Sequence, residues 1–125
     1  MAVRRTRNGG EWTEAEFFGF IRSNLRLMSR KWNPRKLAEH RARAPYTGPN
    51  KRQKWKYQCA RCWGWFKRTE VEVDHVEPCG TLKSFDDAGE FLRRLLVEVD
   101  GFEVLCEECH QAKTNRQRAA SAECG

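Results

Sequence analysis

Between Phe17 and Met28 the apolar residues recur at helical spacing: Phe17, Ile21, Leu25 and Met28, with Phe18 and Phe20 beside them. That period predicts a helix with one stripe turned to a core. Thr13-Glu-Ala-Glu16 ahead of it fits a capping box, so the helix should run from about Glu14 to Arg30. Asn33-Pro34 ends it and opens a second, basic helix from Pro34 to about Ala44, because proline suits a first helical turn. Farther on the period changes from helical to alternating. Val71-Glu-Val-Asp-His-Val76 reads as a short strand, with Val71, Val73 and His75 on one face and Asp74 on the other unless a bulge intervenes. Pro78-Cys79-Gly80 stops that strand. A helix carrying Phe85, Ala88, Leu92, Leu95 and Leu96 should begin at Ser84 or Asp86, and Phe102-Glu-Val-Leu105 reads as a second strand. Cys106 then leads into a last helix, about Glu107 to Ala120. These elements predict an α+β fold.

The stretches between them are polar. Pro45-Tyr-Thr-Gly-Pro-Asn50 is rich in turn residues, and Lys51-Arg-Gln-Lys-Trp-Lys-Tyr57 interleaves cations with aromatics. The lysines there suit phosphate contact. Trp55 suits anchoring the stretch to the core, with stacking on a base as the other use of an exposed ring. Along the chain this gives a basic, helical N-terminal extension at 1–45, a basic linker at 46–57, a core at 58–120 and a flexible tail at 121–125. His40 falls in the basic helix with no partner at metal-ligand spacing and reads as a surface or phosphate-facing residue.

Charge sharpens this picture. Residues 30–56 hold ten Lys and Arg against the single acid Glu39, whereas residues 69–108 hold twelve Asp and Glu against three Lys and Arg. The basic half suits a polyanion such as nucleic acid. The acidic half repels phosphate unless a divalent cation reverses the local sign. The chain has 125 residues, 39% hydrophobic and 33% charged, which is thin material for one core and favours a metal staple. No run of apolar residues is long enough to span a membrane, and the basic N-terminus has no apolar stretch behind it. The expected setting is therefore a reducing cytoplasm, where paired cysteines bind metal rather than each other.

Two such pairs are present, Cys59-Ala-Arg-Cys62 and Cys106-Glu-Glu-Cys109. Two thiolates at i and i+3 hold one metal from one knuckle, and a second knuckle completes a tetrahedron, so these four cysteines predict a structural Zn²⁺ site. The 43 residues between Cys62 and Cys106 exceed the gap of a compact zinc ribbon, and they contain Asp74-His75. Cys79 and Cys124 have no partner at ligand spacing. The string Cys106-Glu-Glu-Cys109-His110 also matches a c-type haem attachment site, but the partner pair and the lack of an export signal favour the thiolate reading.

The last helix adds a second constellation. Successive residues there turn by about 100°. With Cys109 toward the zinc, His110 looks sideways and shares a face with Lys113 and Thr114 at i+3 and i+4. That face can meet Asp74 at the strand end, so Asp74 and His110 can share a divalent cation while His75 serves as a proton acceptor near neutral pH.

Val73-Asp-His-Val76 followed by Val104-Leu-Cys-Glu-Glu-Cys-His-Gln-Ala-Lys-Thr114 resembles the HNH endonuclease family over about residues 57–118. Tyr46-Thr-Gly-Pro-Asn-Lys-Arg-Gln-Lys-Trp55 and Glu98-Val-Asp-Gly101 are similar to stretches in the short HNH proteins of bacteriophages. The resemblance implies a small, zinc-stapled ββα-metal finger behind an N-terminal helical extension. It implies His75 as general base, Asp74 and His110 as ligands of a catalytic metal, and Cys59, Cys62, Cys106 and Cys109 as ligands of a structural zinc. Where the family usually has a middle Asn, this chain has Asp100-Gly101, so the loop-ordering role falls to a backbone group or to Asp100. Thr114 stands where some relatives place a histidine, and water fills that position.

The function these readings imply is metal-dependent hydrolysis of DNA phosphodiester bonds, by nicking or double-strand cleavage, with low sequence specificity. Mg²⁺ or Mn²⁺ suits an oxygen-rich site, and the histidine ligand also admits Zn²⁺ or Ni²⁺. Lys51, Arg52, Lys54, Lys56, Lys113 and Arg116 are the candidate DNA contacts, double-stranded DNA is the expected partner, and phage packaging or recombination proteins are the expected company. The rival reading is a zinc-stapled DNA-binding accessory whose catalytic site has decayed; an RNA-directed nuclease is a third.

Overall fold

The fold, a computed structural model that describes residues 3–124 and the side chains of residues 3–119, is α+β. Among these residues it has four α-helices and three small antiparallel sheets. They fall into two compact units that interleave along the chain: residues 3–33 with 77–97, and residues 34–76 with 98–124. No helix among the described residues is long and apolar enough to cross a membrane.

The first unit opens with a hairpin of β1 (Arg5–Arg7) and β2 (Trp12–Thr13). Its turn, Asn8-Gly9-Gly10, has φ of 53, 66 and 87°, a left-handed run that Asn and Gly adopt at least cost. Helix α1 (Glu14–Ser29) follows at once. Its start is the capping box read from the sequence: Glu16 N donates to Thr13 Oγ1 at 3.2 Å and Thr13 N to Glu16 Oε1 at 3.1 Å. Arg5 and Arg7 pair with Glu16 and Glu14 at 2.9 and 3.0 Å, which ties the hairpin to the first helical turn. Phe18 of α1 is buried with Leu82, Phe91 and Leu95, and Phe17, Ile21, Leu25 and Cys79 pack around them. Phe91 and Leu95 lie on α3 (Ala88–Leu95), which a short 3-10 turn at Phe85–Asp87 leads into. Trp32 Nε1 donates to Val97 O at 2.6 Å and closes the unit.

The second unit begins at Pro34, the second residue of α2 (Asn33–Arg41). This helix stops three residues short of the expected Ala44. Arg43–Pro45 becomes β3 and pairs with β4 (Trp55–Gln58), and Gln58 N donates to Ala42 O at 3.0 Å, so sheet pairing claims groups a longer helix would need. The stretch expected as a basic linker thus ends in a strand. Strand β5 (Trp65–Phe66) pairs with β4 on its other side. Strands β6 (Val71–His75) and β7 (Phe102–Cys106) form an antiparallel pair in continuous register from Val71↔Cys106 to His75↔Phe102. Helix α4 (Glu107–Cys124) follows without a break. Its backbone continues past Ala120 through most of the expected tail; Gly125 and the Cys124 side chain lie outside the described residues.

Alternation along β6 and β7 explains the packing. Val71 and Val104 are buried with Tyr57, against Phe66 and Val73. Leu105, fully buried, sits with Cys59 and Cys106 and supports the cysteine site from beneath.

Candidate metal centre and acid–imidazole site

The four paired cysteines meet. Their sulfurs all lie within 4.8 Å of one another, and Cys62 Sγ and Cys106 Sγ are 3.8 Å apart. Tetrahedral zinc with bonds of about 2.3 Å spaces its thiolates by about 3.8 Å, whereas a disulfide holds its sulfurs at about 2.05 Å. The donor set therefore fits a structural metal such as zinc. The two knuckles come from different elements: Cys59 and Cys62 from the turn after β4, Cys106 and Cys109 from the junction of β7 and α4. The first knuckle is held by Cys59 N to Gly64 O at 2.9 Å, Trp63 N to Cys59 O at 3.1 Å and Ala60 N to Val104 O at 2.8 Å. Trp63 adopts φ of 65° to turn the chain back.

The thiols are also prepared unequally. Burial opposes ionisation of Cys59, but N–H groups of Cys62, Cys106 and Arg61 aimed at its sulfur outweigh this and hold it down at about 6. Cys109 is pushed up to about 12 by its hydrogen bond with Cys106 and by burial. Burial raises Cys106 as well. The Cys59 thiolate forms readily while Cys106 and Cys109 resist, which is what crowding sulfurs without a countercharge produces; a bound cation supplies that charge.

Beside this centre, β6 delivers Asp74 and α4 delivers His110. Asp74 Oδ2 lies 3.9 Å from His110 Nε2. The other oxygen, Oδ1, accepts the His75 main-chain N–H at 2.9 Å. Asp74 and His110 are half-exposed, with side chains 28% and 40% accessible. His75, the last residue of β6, lays its ring 4.8 Å from that of Phe102, its cross-strand partner. Asp74 and His75 thus use opposite faces of one strand, as alternation requires.

The loop around the histidine is ordered by backbone. Val76 N donates to Gly101 O at 2.9 Å, and Gly101 N to Glu98 O at 2.8 Å. Asp100 instead turns its carboxylate to Arg41, 2.7 Å away.

Lys113 is placed differently from a phosphate contact. Its side chain is only 7% exposed, and its ammonium lies 3.0 Å from Asp74 Oδ2 and 3.2 Å from Glu103 Oε1 while also donating to the His75 carbonyl. An amine among three oxygens has no donor left to reach out with. Glu103, 11% exposed, also accepts from Arg61 Nη2 at 3.1 Å. Glu103 and Arg61 are the residues that motif reading missed. Alternation in Phe102-Glu-Val-Leu105 signals an acid on the face opposite Phe102, but only the register Asp74↔Glu103 places it beside Asp74. Among the described residues, the cysteine quartet is the one group of three or more His, Cys, Asp or Glu side chains close enough to hold a single ion as they stand.

Of the other candidate contacts, Lys51, Arg52, Lys54 and Arg116 are exposed. Lys56 is half-buried with its ammonium 4.5 Å from the centre of the Trp65 ring. Trp55 is partly exposed rather than buried as an anchor, with the Arg43 guanidinium 3.9 Å above its ring. No family model, no curated protein and no solved structure matches this chain.

Proposed function

We propose that this protein is a metal-dependent endonuclease of the HNH type, in which β6, β7 and α4 form a ββα-metal finger that hydrolyses DNA phosphodiester bonds. The observation that carries the reading is the approach of Asp74 Oδ2 to His110 Nε2, 3.9 Å, one residue from His75 and beside four clustered thiols. A carboxylate and an imidazole suit a divalent ion that keeps most of its sites for water and phosphate, such as Mg²⁺ or Mn²⁺. Ions bound by two such ligands at about 2.1 Å draw them to roughly 3 Å for adjacent positions, so modest closure fits the pair to an ion.

Asp74 and His110 would hold that ion, and Cys59, Cys62, Cys106 and Cys109 the structural zinc. The divalent ion supplies Lewis-acid stabilisation of charge developing on the phosphate and on the leaving 3′-oxygen. His75 accepts the proton of the attacking water, a role imidazole fills near neutral pH. The Asp74 carboxylate and the Lys113 ammonium hold the His75 backbone at both ends, which steadies the strand end that presents the ring. Lys51, Arg52, Lys54 and Arg116 lie in solvent where phosphates can reach them, and contact with the backbone alone gives low sequence preference. Phage packaging or recombination, in a bacterial cytoplasm, is the proposed setting.

One observation favours the second reading, a DNA-binding accessory with a decayed site. Lys113 already supplies a positive charge to Asp74, which lessens the need for a metal. Incubation of supercoiled plasmid with Mg²⁺ or Mn²⁺ separates the two. The nuclease reading expects relaxed or linear product that chelation prevents; binding without product in any divalent metal supports the accessory. A parallel RNA substrate tests the third reading.

A further inference from the structure

Asp74 and Glu103 are direct cross-strand partners, so two carboxylates project from one face of the β6–β7 pair at neighbouring positions. Like charges so placed repel, and burial of Glu103 strengthens the repulsion. The fold answers with Lys113. Its ammonium touches Asp74 Oδ2, Glu103 Oε1 and the His75 carbonyl, three oxygens around one buried cation. A hard metal ion makes the same demands: several oxygens, net negative charge and little water.

We propose that Lys113 is a tethered cation holding the place between Asp74 and Glu103, and that a divalent ion arriving at Asp74 and His110 competes with it, so that Lys113 sets the affinity for that ion. This rests on the reading of Asp74 and His110 as the metal pair. The competition is for one atom. Asp74 Oδ1 is engaged by the His75 N–H, and Oδ2 is the oxygen that both Lys113 and His110 face. With the ammonium present, the site is preformed without metal and binds a divalent ion weakly. With the ammonium neutralised, Arg61 remains the countercharge 3.1 Å from Glu103, and Glu103 becomes available as a third donor beside Asp74 and His110. Lys113 is in this sense a positioning residue and Glu103 a latent ligand.

The test is Mn²⁺ binding to zinc-loaded protein, read as free Mn²⁺ by electron paramagnetic resonance, with zinc content and melting curve confirming the fold. Lys113→Gln, which keeps a donor for the His75 carbonyl, should bind Mn²⁺ about tenfold tighter than wild type, and Lys113→Arg, which keeps the positive charge, should stay within about twofold. Adding Glu103→Gln to Lys113→Gln should return most of the gain. Lys113→Gln binding no tighter than wild type overturns the proposal. If Lys113→Gln does not fold, Glu103→Gln alone decides. It leaves the ammonium to Asp74 and should weaken Mn²⁺ binding; unchanged or tighter binding overturns the proposal. Asp74→Asn in the wild-type background isolates the underlying reading, since Mn²⁺ affinity indifferent to that change removes the ion from Asp74 whatever Lys113 does.

Discussion

The carboxylate of Asp74 takes the main-chain N–H of His75 through one oxygen and faces His110 and Lys113 through the other. Neighbours in sequence are thereby assigned different work: Asp74 looks toward α4, and His75 keeps its ring on the opposite face, against Phe102. Asn at position 74 retains an oxygen for the His75 N–H but loses the charge. Asp74→Asn is therefore expected to keep zinc and a cooperative melt while plasmid cleavage falls by about 100-fold, in line with the loss of a metal ligand. Cleavage rates and zinc content, measured on the same preparation, check this.

The cysteine quartet predicts one tightly held zinc per chain. Cys59 is fully buried against Leu105, so its loss removes a ligand and leaves a void beneath the site. Cys59→Ser or strong chelation should strip the ion and expose amides that now bond across the knuckle, above all Ala60 N, which donates to Val104 O. Cys79→Ser, in the other unit, should leave zinc content unchanged. Metal analysis and amide hydrogen exchange report both outcomes.

The capping box makes a pH prediction in the first unit. The Thr13 N–H and hydroxyl, followed by Arg5, hold the Glu16 carboxyl below its ordinary value. A carboxyl lowered in the folded state stabilises above its ordinary value, and the contribution is lost as pH falls through the lowered one. Glu16 should titrate below 4.5 by carboxyl ¹³C shift, and Thr13→Ala should move it upward while costing about 1 kcal/mol of stability from the lost cap. Alanine keeps the main-chain N–H that donates to Glu16, so a titration unmoved by Thr13→Ala would separate Glu16 from the Thr13 hydroxyl alone.

Much of this structure was legible because the carriers are local. Helix α1 announced itself by period and cap, β6 and β7 by alternation, the cysteine quartet by two short spacings. The hairpin of β1 and β2 was not, although Asn8-Gly9 is a turn signal: Arg5-Thr-Arg7 has no apolar residue to show an alternating period, and its partners are the acids of α1. β3 hid across the end of an expected helix and the start of an expected turn because Arg43-Ala-Pro45 takes its strand from pairing with Trp55–Tyr57 rather than from its own residues. At the site, the helical face joining His110 to Lys113 was readable, but the destination of the Lys113 ammonium was not. That destination depends on Glu103, and Glu103 acquires meaning only from its register opposite Asp74.

Exposed cations near 50 make a prediction about salt. Replacing Lys51, Arg52 and Lys54 with alanine should weaken DNA binding evenly across sequences. The slope of log K against log salt should become shallower by about 0.9 for each phosphate that is no longer neutralised. These side chains lie in solvent, so the melting temperature should hold. Filter binding or fluorescence anisotropy over a range of salt concentrations checks both.

The base assignment is tested most directly by the initial rate at which His75→Ala relaxes supercoiled plasmid in Mg²⁺ or Mn²⁺, beside wild type of equal zinc content. The ring packs on Phe102 and the backbone ties of residue 75 do not depend on it, so the variant should fold. General-base catalysis contributes about 10²–10⁴-fold, and the variant should be slower by that order. A variant that cuts as fast as wild type would contradict the account.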